Sequence, residues 1–237
     1  MSLERHTYPT AQEAARACAH GALAALDEAL SGQAVATLAV SGGSTPKAMF
    51  DEMAAPSGDW SRIHLFWVDE RAVAPTAEAS NYKLAYDHLI GPAGIPEGNV
   101  HRIHGEVEPR DATTLYTAEI RRHFELGSTE LPRFDVLHRG IGPDGHTASL
   151  FPGSDLGDNP SDIAAAVFAP QFDQWRITLL PGVLKAARNT VALAAGDDKA
   201  EAVRAALKED YDPKKRPAQI ARDQAHWFLD RAAAARL

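Results

Sequence analysis

Short apolar runs alternate with helical segments along this chain, and the alternation limits the folds open to it. Runs rich in β-branched or aromatic residues predict buried strands at 35–40, 63–68, 134–137, 176–179, 191–195 and 227–229. Helices are predicted between them, the first over 10–30, where Thr10 and Glu13 have the spacing of a capping box. This order is typical of an α/β protein with a mostly parallel sheet and helices on both faces. We therefore predict that fold class, with residues 1–237 forming a single domain.

Other segments give weaker patterns. Residues 91–110 contain three prolines and four glycines and predict an irregular surface loop. His101 and His104 lie in it with i, i+3 spacing, but no cysteine or clustered carboxylate completes a metal-ligand set, so no metal site is predicted. A second loop is predicted at 155–170, with a short apolar piece at 163–168, and a short alanine-rich helix is predicted after Asp230.

Composition and charge exclude several classes of function. The formal net charge is −8 and no run of Lys or Arg forms a tail, so binding to nucleic acid or to a membrane surface is not predicted. No window approaches the roughly 18 apolar residues of a membrane span. Cys18 is the only cysteine, which excludes an intrachain disulfide and fits a reducing compartment. We predict a cytoplasmic protein, monomeric or weakly dimeric, that acts on a small molecule.

One stretch, residues 140–153, has the densest set of chemically useful side chains. It reads GIGPDGHTASLFPG and follows the apolar run that begins at Phe134. Glycine permits positive φ and close approach to a ligand, and histidine is the side chain most easily used as a base near neutral pH. His146 is therefore a candidate base, with Asp144 two residues earlier on the same turn. A short helical turn is expected over 147–151.

Two other strand ends carry groups that suit an anion. The strand at 35–40 runs into Ser41-Gly42-Gly43-Ser44-Thr45-Pro46, where a glycine turn and a helix N-terminus offer backbone N–H groups. The strand at 63–68 ends in Asp69-Glu70-Arg71, and the Arg71 guanidinium matches a phosphate with two donors. Alone, the first motif equally fits a capped turn and the second a solvated turn with an internal ion pair. Because strands of an open α/β sheet share one C-terminal edge, the three ends are predicted to form one pocket.

These pieces together closely resemble the 6-phosphogluconolactonase family. The resemblance spans nearly the whole chain and is carried by SGGSTP at 41–46, WVDER at 67–71, SNY at 80–82, GIGPDGHTASLFP at 140–152, RITL at 176–179, Gly196 with Lys199-Ala200, and WFLD at 227–230. It implies the fold shared with glucosamine-6-phosphate deaminase, ribose-5-phosphate isomerase and CoA transferases. It also implies hydrolysis of 6-phospho-D-glucono-1,5-lactone to 6-phospho-D-gluconate without metal or organic cofactor.

Residue roles follow from the resemblance together with the chemistry of ester hydrolysis. His146 is expected to take a proton from water and return it to the ring-oxygen leaving group. Asp144 is expected either to orient His146 or to bind a sugar hydroxyl. A phosphate subsite is expected from two cations and a backbone turn, namely Arg71, Lys199, Gly42, Gly43 and Ser44. Asp69 and Asn81 are weaker candidates, either for contacts with sugar hydroxyls or for holding Arg71.

Two alternatives and one departure remain. A deaminase-like aldose–ketose isomerase would have a glutamate at the position of Phe151 and an aromatic residue at that of Arg71, so this chain favours the lactonase. A non-catalytic sugar-phosphate-binding module is the other alternative. The family has an apolar pair where this chain has His138-Arg139. An unpaired buried guanidinium is costly, so Arg139 is expected to reach a surface, a carboxylate or a subunit contact.

Overall fold

Ten strands and seven α-helices form the regular structure of the residues described in this computed structural model, namely 4–43, 45–55, 58–154 and 162–237. The strands are β1 (Glu4–Tyr8), β2 (Ala36–Val40), β3 (Ile63–Trp67), β4 (Asp69–Arg71), β5 (Val100–His101), β6 (Val136–Arg139), β7 (Ala164–Ala169), β8 (Gln174–Leu179), β9 (Asn189–Ala194) and β10 (Ala225–Asp230). The helices are α1 (Ala11–Gly32), α2 (Pro46–Met53), α3 (Asn81–Ala85), α4 (Gly91–Ala93), α5 (Pro109–His123), α6 (Pro181–Ala186) and α7 (Ala200–Lys208).

Seven strands form one sheet in the order β1-β10-β9-β6-β2-β3-β5, and all of its pairings are parallel. Alternate residues of β9 point to opposite faces, as the pleat requires. Leu193 belongs to the same apolar cluster as α1, whereas Ala192 and Ala194 belong to the cluster that contains Val203 of α7. Helices therefore cover both faces, and the predicted fold class is confirmed.

Local signals set the ends of several elements. Thr10 caps α1, since its hydroxyl accepts from the backbone N–H of Glu13 while the Glu13 carboxylate accepts from that of Thr10. This is the predicted capping box. Pro46 occupies the first turn of α2, where its missing N–H costs no hydrogen bond. None of the described helices has the length and apolar character that a membrane crossing requires.

A second, antiparallel sheet, β4-β8-β7, was not predicted. Residues 69–71 were expected as a turn and 163–168 as a short apolar piece in a loop, but they contribute β4 and β7. The charged sequence of β4 has no strand pattern of its own, and β4 is a strand because it pairs with β8. Backbone bonds join the two sheets, because Val68 donates to Val40 and accepts from Leu179, each at 2.8 Å.

Four further expectations were wrong. Strand β1 was missed because its polar residues lie on an exposed edge, and β5 is only two residues long in the segment expected to be irregular. The stretch 147–151 is a tight turn closed by a bridge between Thr147 and Leu150 instead of a helix. Residues 231–236 form turns, although the Asp230 carboxylate does accept from the backbone of Ala233 at 2.7 Å.

Candidate active site

The turn after β6 holds His146 against Asp144. Asp144 Oδ1 accepts from the His146 ring at Nδ1 over 2.6 Å and from its backbone N–H over 3.1 Å. A Cβ at Gly142 would lie 2.0 Å from His146 Nδ1, so only glycine fits there. Gly145, at φ +84°, reverses the chain between the two residues. Although burial acts in the opposite direction, the bond to His146 keeps the pKa of Asp144 below its usual value.

Buried hydrogen bonds fix this turn to the second sheet. The Ser149 hydroxyl donates to Asp69 Oδ2 at 2.7 Å, and the Ser149 backbone donates to the Thr178 hydroxyl at 3.2 Å. Thr147 donates to the carbonyl of Gly140 at 2.8 Å. The histidine turn therefore cannot move independently of β4 and β8, and the Asp69 carboxylate is engaged with Ser149.

Glu70 organises the start of α3. Its carboxylate accepts from the backbone N–H groups of Arg71, Asn81 and Tyr82, each at 2.7 Å, and from the Ser80 hydroxyl at 3.0 Å. Burial raises the pKa of Glu70, and the four hydrogen bonds oppose that effect. The alternative of a solvated turn at 69–71 therefore does not apply, since Glu70 is 2 % exposed.

The glycine turn after β2 meets Asn81. A Cβ at Gly42 would lie 1.9 Å from Asn81 Oδ1, so the absence of a side chain at Gly42 admits the asparagine. Asn81 Nδ2 donates to the Asp69 carbonyl at 2.8 Å, while its buried Oδ1 has no partner in the described structure. Gly43 adopts φ +114°. Ser44, the third predicted member of this turn, lies outside the described residues.

Two arginines lie side by side in the second sheet. Arg71 of β4 is directly opposite Arg176 of β8, and each has a buried Nε with no hydrogen-bond partner in the described part of the chain. The Arg176 guanidinium lies over the rings of Phe172 and Phe151, at 4.6 and 5.6 Å from their centroids. Arg71 Nη1 donates to the carbonyl of Ala79 at 2.5 Å.

The charges around Arg176 identify its neighbours. Burial, followed by the positive charge of Arg71, lowers the pKa of Arg176, while Asp69, Glu70 and Asp144 act in the opposite direction. Phe151 also contacts the His146 ring, with centroids 4.9 Å apart. A pair of guanidinium groups with free donors therefore borders the histidine turn, and the pair suits a doubly charged anion.

Arg176 was not among the predicted site residues. It was quoted only as the start of a strand motif, and its role depends on the antiparallel register that brings it to Arg71. The available signal was the charged residue at the start of an otherwise apolar RITL run.

Lys199 is connected to the rest of the site only through the sheet order. It follows β9, which is adjacent to β6, and it ends a short 3₁₀ turn that begins at Asp197. Its side chain is 18 % exposed and its Nζ lies 2.9 Å from Asp198 Oδ2. Gly196 precedes the turn at φ +101° and donates its N–H to the Asp230 carboxylate.

The pair His138-Arg139 is buried beneath the site. The His138 ring accepts from the Ser41 backbone at 3.4 Å and meets the edge of Phe50. Arg139 is 1 % exposed, and none of its guanidinium nitrogens has a hydrogen-bond partner among the described residues. It lies over Trp227 at 5.6 Å. In the described part of the chain the Arg139 side chain reaches neither the surface nor a carboxylate, so two of the three alternatives do not apply there.

Fold and site together define a class of protein: an α/β protein with an Asp–His pair and two adjacent arginines near the C-terminal edge of the parallel strands. Residues 9–229 match the family described as glucosamine-6-phosphate isomerases/6-phosphogluconolactonase. The chain belongs to that family.

Curated relatives agree with this assignment. The chain is 31 % identical over 214 residues to the 6-phosphogluconolactonase of Synechocystis sp., covering 88 % of this chain and 87 % of that protein. It is 36 % identical over 211 residues to the chloroplastic 6-phosphogluconolactonase 3 of Arabidopsis thaliana. That alignment covers 85 % of this chain but only 65 % of the longer plant protein.

A solved structure shows the same architecture. The 6-phosphogluconolactonase of Trypanosoma brucei superposes with a TM-score of 0.89 at 26 % identity, and the match covers 100 % of this chain and 99 % of that one.

Proposed function

We propose that this chain hydrolyses 6-phospho-D-glucono-1,5-lactone to 6-phospho-D-gluconate in the oxidative pentose phosphate pathway. The observation that carries the proposal is the Asp144–His146 pair set beside the arginines of β4 and β8. The Asp–His pair suits the activation of water, and the pair of arginines suits a phosphate. The 6-phosphogluconolactonases among the relatives support the same substrate.

His146 acts as the general base. A carboxylate only accepts hydrogen bonds, so the 2.6 Å contact with Asp144 assigns the ring proton to Nδ1 and leaves the lone pair on Nε2. Nε2 takes a proton from water as the water oxygen attacks the lactone carbonyl. When the tetrahedral intermediate collapses, the ring C–O bond breaks and the imidazolium returns the proton to the departing oxygen. Asp144 holds the ring and stabilises its charged form.

Arg71 and Arg176 bind the 6-phosphate. Their unpartnered Nε groups point to an absent acceptor, and two adjacent cations complement a dianion better than either alone. We assign Lys199, which follows β9, to the same subsite, together with the backbone of Gly42 and Gly43 after β2. Ser44 stays a candidate from the sequence alone. Asn81 Oδ1, which is also unpartnered, accepts from a sugar hydroxyl, and Asp69 positions Ser149 and the histidine turn.

The decisive assay follows hydrolysis of freshly prepared 6-phosphogluconolactone, with the spontaneous rate subtracted. His146→Ala is expected to lower kcat/KM by roughly 10²–10⁴-fold, the usual contribution of a general base. His20→Ala, which changes an exposed histidine, serves as the matched control and is expected to retain the wild-type rate. If His146→Ala retained it as well, the assignment of the base would be wrong.

The phosphate subsite is tested by comparing two substrates. Arg71→Ala and Arg176→Ala are each expected to raise KM far more for the phosphorylated lactone than for gluconolactone, which has no phosphate. Equal effects on both substrates would remove the phosphate role. Turnover of glucosamine 6-phosphate would favour the isomerase alternative, and binding of the lactone without hydrolysis would favour the non-catalytic module.

Cellular setting and assembly are part of the same proposal. We expect a cytoplasmic enzyme, monomeric or weakly dimeric and formed by a single domain, that needs no metal or organic cofactor for this reaction. The free Cys18 is buried in α1, which suits a reducing compartment.

A further inference from the structure

Three histidines from distant parts of the chain meet at the β5 edge of the sheet. His64 comes from β3, His101 from β5 and His123 from the last residue of α5. One ring nitrogen of each can be chosen so that all three lie within 4.8 Å of one another. The ring centroids are 4.6 to 5.1 Å apart. None of the three belongs to the candidate active site.

A carboxylate sets the orientation of the central ring. His101 Nδ1 donates to Glu119 Oε1 at 2.6 Å, and Glu119 is held in turn by Arg122. The lone pair of His101 is therefore on Nε2, which lies 2.8 Å from His64 Nδ1. A histidine that donates one nitrogen to a carboxylate and turns the other toward neighbouring ligands is the usual arrangement at protein metal centres.

Aromatic side chains pack around the three imidazoles. Phe66 stacks on His101 with centroids 4.3 Å apart, and Phe124 packs against His123. His101 is buried, and His64 and His123 are half-buried. The rings are therefore held close together by packing as well as by the bond to Glu119.

We infer that His64, His101 and His123 bind one divalent transition-metal ion of the Zn²⁺ class, with water as the fourth ligand. Imidazole nitrogen is a ligand that Zn²⁺ prefers, and two ligands at about 2.0–2.1 Å in a tetrahedral site lie about 3.3 Å apart. To bind the ion, His64 Nδ1 and His101 Nε2, now 2.8 Å apart, have to separate slightly. The two ligand nitrogens that lie farthest apart, at most 4.8 Å, have to approach each other. The ion ties the end of α5 to β3 and to the two-residue edge strand β5.

His101 and His104, which were both predicted to lie in an irregular surface loop, have different surroundings in the structure. His101 is 7 % exposed, and its partners come from β3 and α5 instead of the adjacent His104. His104 Nδ1 lies 3.2 Å from Glu106 Oε1 and takes no part in the cluster. His104 therefore provides a control position for a test of the cluster.

The test uses the full chain after treatment with a chelator. Co²⁺ is added first, because its visible absorption reports tetrahedral nitrogen coordination, and Zn²⁺ then displaces it. One equivalent of Co²⁺ is expected to bind, and bound Zn²⁺ is expected to raise Tm. Glu119→Gln should weaken Zn²⁺ binding by roughly 10–100-fold through loss of the supporting carboxylate. His123→Gln should weaken it further, and His104→Gln should leave it unchanged.

Several results would overturn the inference. Absence of a Co²⁺ spectrum in the wild type, or equal affinity in wild type and His123→Gln, would show that the cluster is only a hydrogen-bonded part of the core. Loss of binding in His226→Gln would assign the ion to the exposed group of Glu4, His6 and His226 instead. If His123→Gln failed to fold, unchanged affinity in Glu119→Gln would still decide against the site, since Glu119 is partly exposed. Hydrolysis of the lactone is expected to persist in His123→Gln.

Discussion

Replacing Arg139 by methionine should stabilise this protein. Arg139 is 1 % exposed, and its Nε, Nη1 and Nη2 atoms have no hydrogen-bond partner in the described part of the chain. Its guanidinium lies over the face of Trp227, 5.6 Å from the ring centroid, which is a favourable contact. Methionine fills a similar volume with a flexible apolar chain and introduces no charge.

The expected gain follows from the pKa of the guanidinium. Burial lowers the pKa of Arg139 from its usual value to about 10. At about 1.4 kcal/mol for each pKa unit, the buried charge costs the fold about 3 kcal/mol. A desolvated cation–π contact returns about 2 kcal/mol of this and is lost in the variant. The folded pKa is depressed, so the penalty is present in full at neutral pH and is relieved only as the pH rises above about 10.

Arg139→Met is therefore expected to raise the free energy of unfolding by about 1 kcal/mol, or Tm by about 2–4 °C for a chain of this size. Urea unfolding of wild type and variant measures the difference, and Arg231→Met, which removes an exposed arginine, should change it by less than about 0.5 kcal/mol. A loss of about 2 kcal/mol or more in Arg139→Met would refute the reasoning. It would mean that the guanidinium has an anionic partner in the folded protein, such as a carboxylate across a subunit contact.

Three further predictions concern buried groups around the site. Burial lowers the pKa of His138 to about 3, so at pH 5 the histidine is protonated in the unfolded chain but not in the folded one. The free energy of unfolding should therefore fall by about 2 kcal/mol between neutral pH and pH 5, and His138→Gln should remove that part of the pH dependence in urea unfolding. Glu70→Gln turns an amide N–H₂ toward backbone donors and should cost about 2–3 kcal/mol while raising KM for the lactone; unchanged unfolding would contradict this. Ala148 has φ +52°, so Ala148→Gly should raise stability by about 1 kcal/mol in thermal denaturation, unless the buried methyl group contributes more than the strain costs.

The fold was predictable because its signals are local and repeat along the chain. Strands β2, β3, β6 and β9 are buried almost throughout, so a short apolar run marks each one in the sequence. Strand β4 could not be recognised in this way, because its three residues are all charged and its order comes from β8. Strand β5 is too short to show any period.

The candidate site was predictable to the extent that it follows strand ends. The turn after β6 and the turns after β2 and β3 do meet, through Ser149 with Asp69 and through Gly42 with Asn81. Contacts set by antiparallel register or by helix packing left no local pattern. This is why Arg176 and the three-histidine cluster went unpredicted. The roles of the site residues, the single domain, the compartment and the oligomeric state remain predictions.

In the proposed function, the second sheet provides the selectivity for a phosphorylated substrate. A parallel sheet alone brings strand ends to one edge but does not place two like charges side by side. Strand β4 leaves the main sheet directly after β3, and its pairing with β8 sets Arg71 against Arg176. Repulsion between the two guanidinium groups is reduced by aromatic faces and by Asp69, Glu70 and Asp144 nearby. We therefore expect the substrate phosphate to supply the acceptor that the Nε groups of the two arginines lack among the described residues.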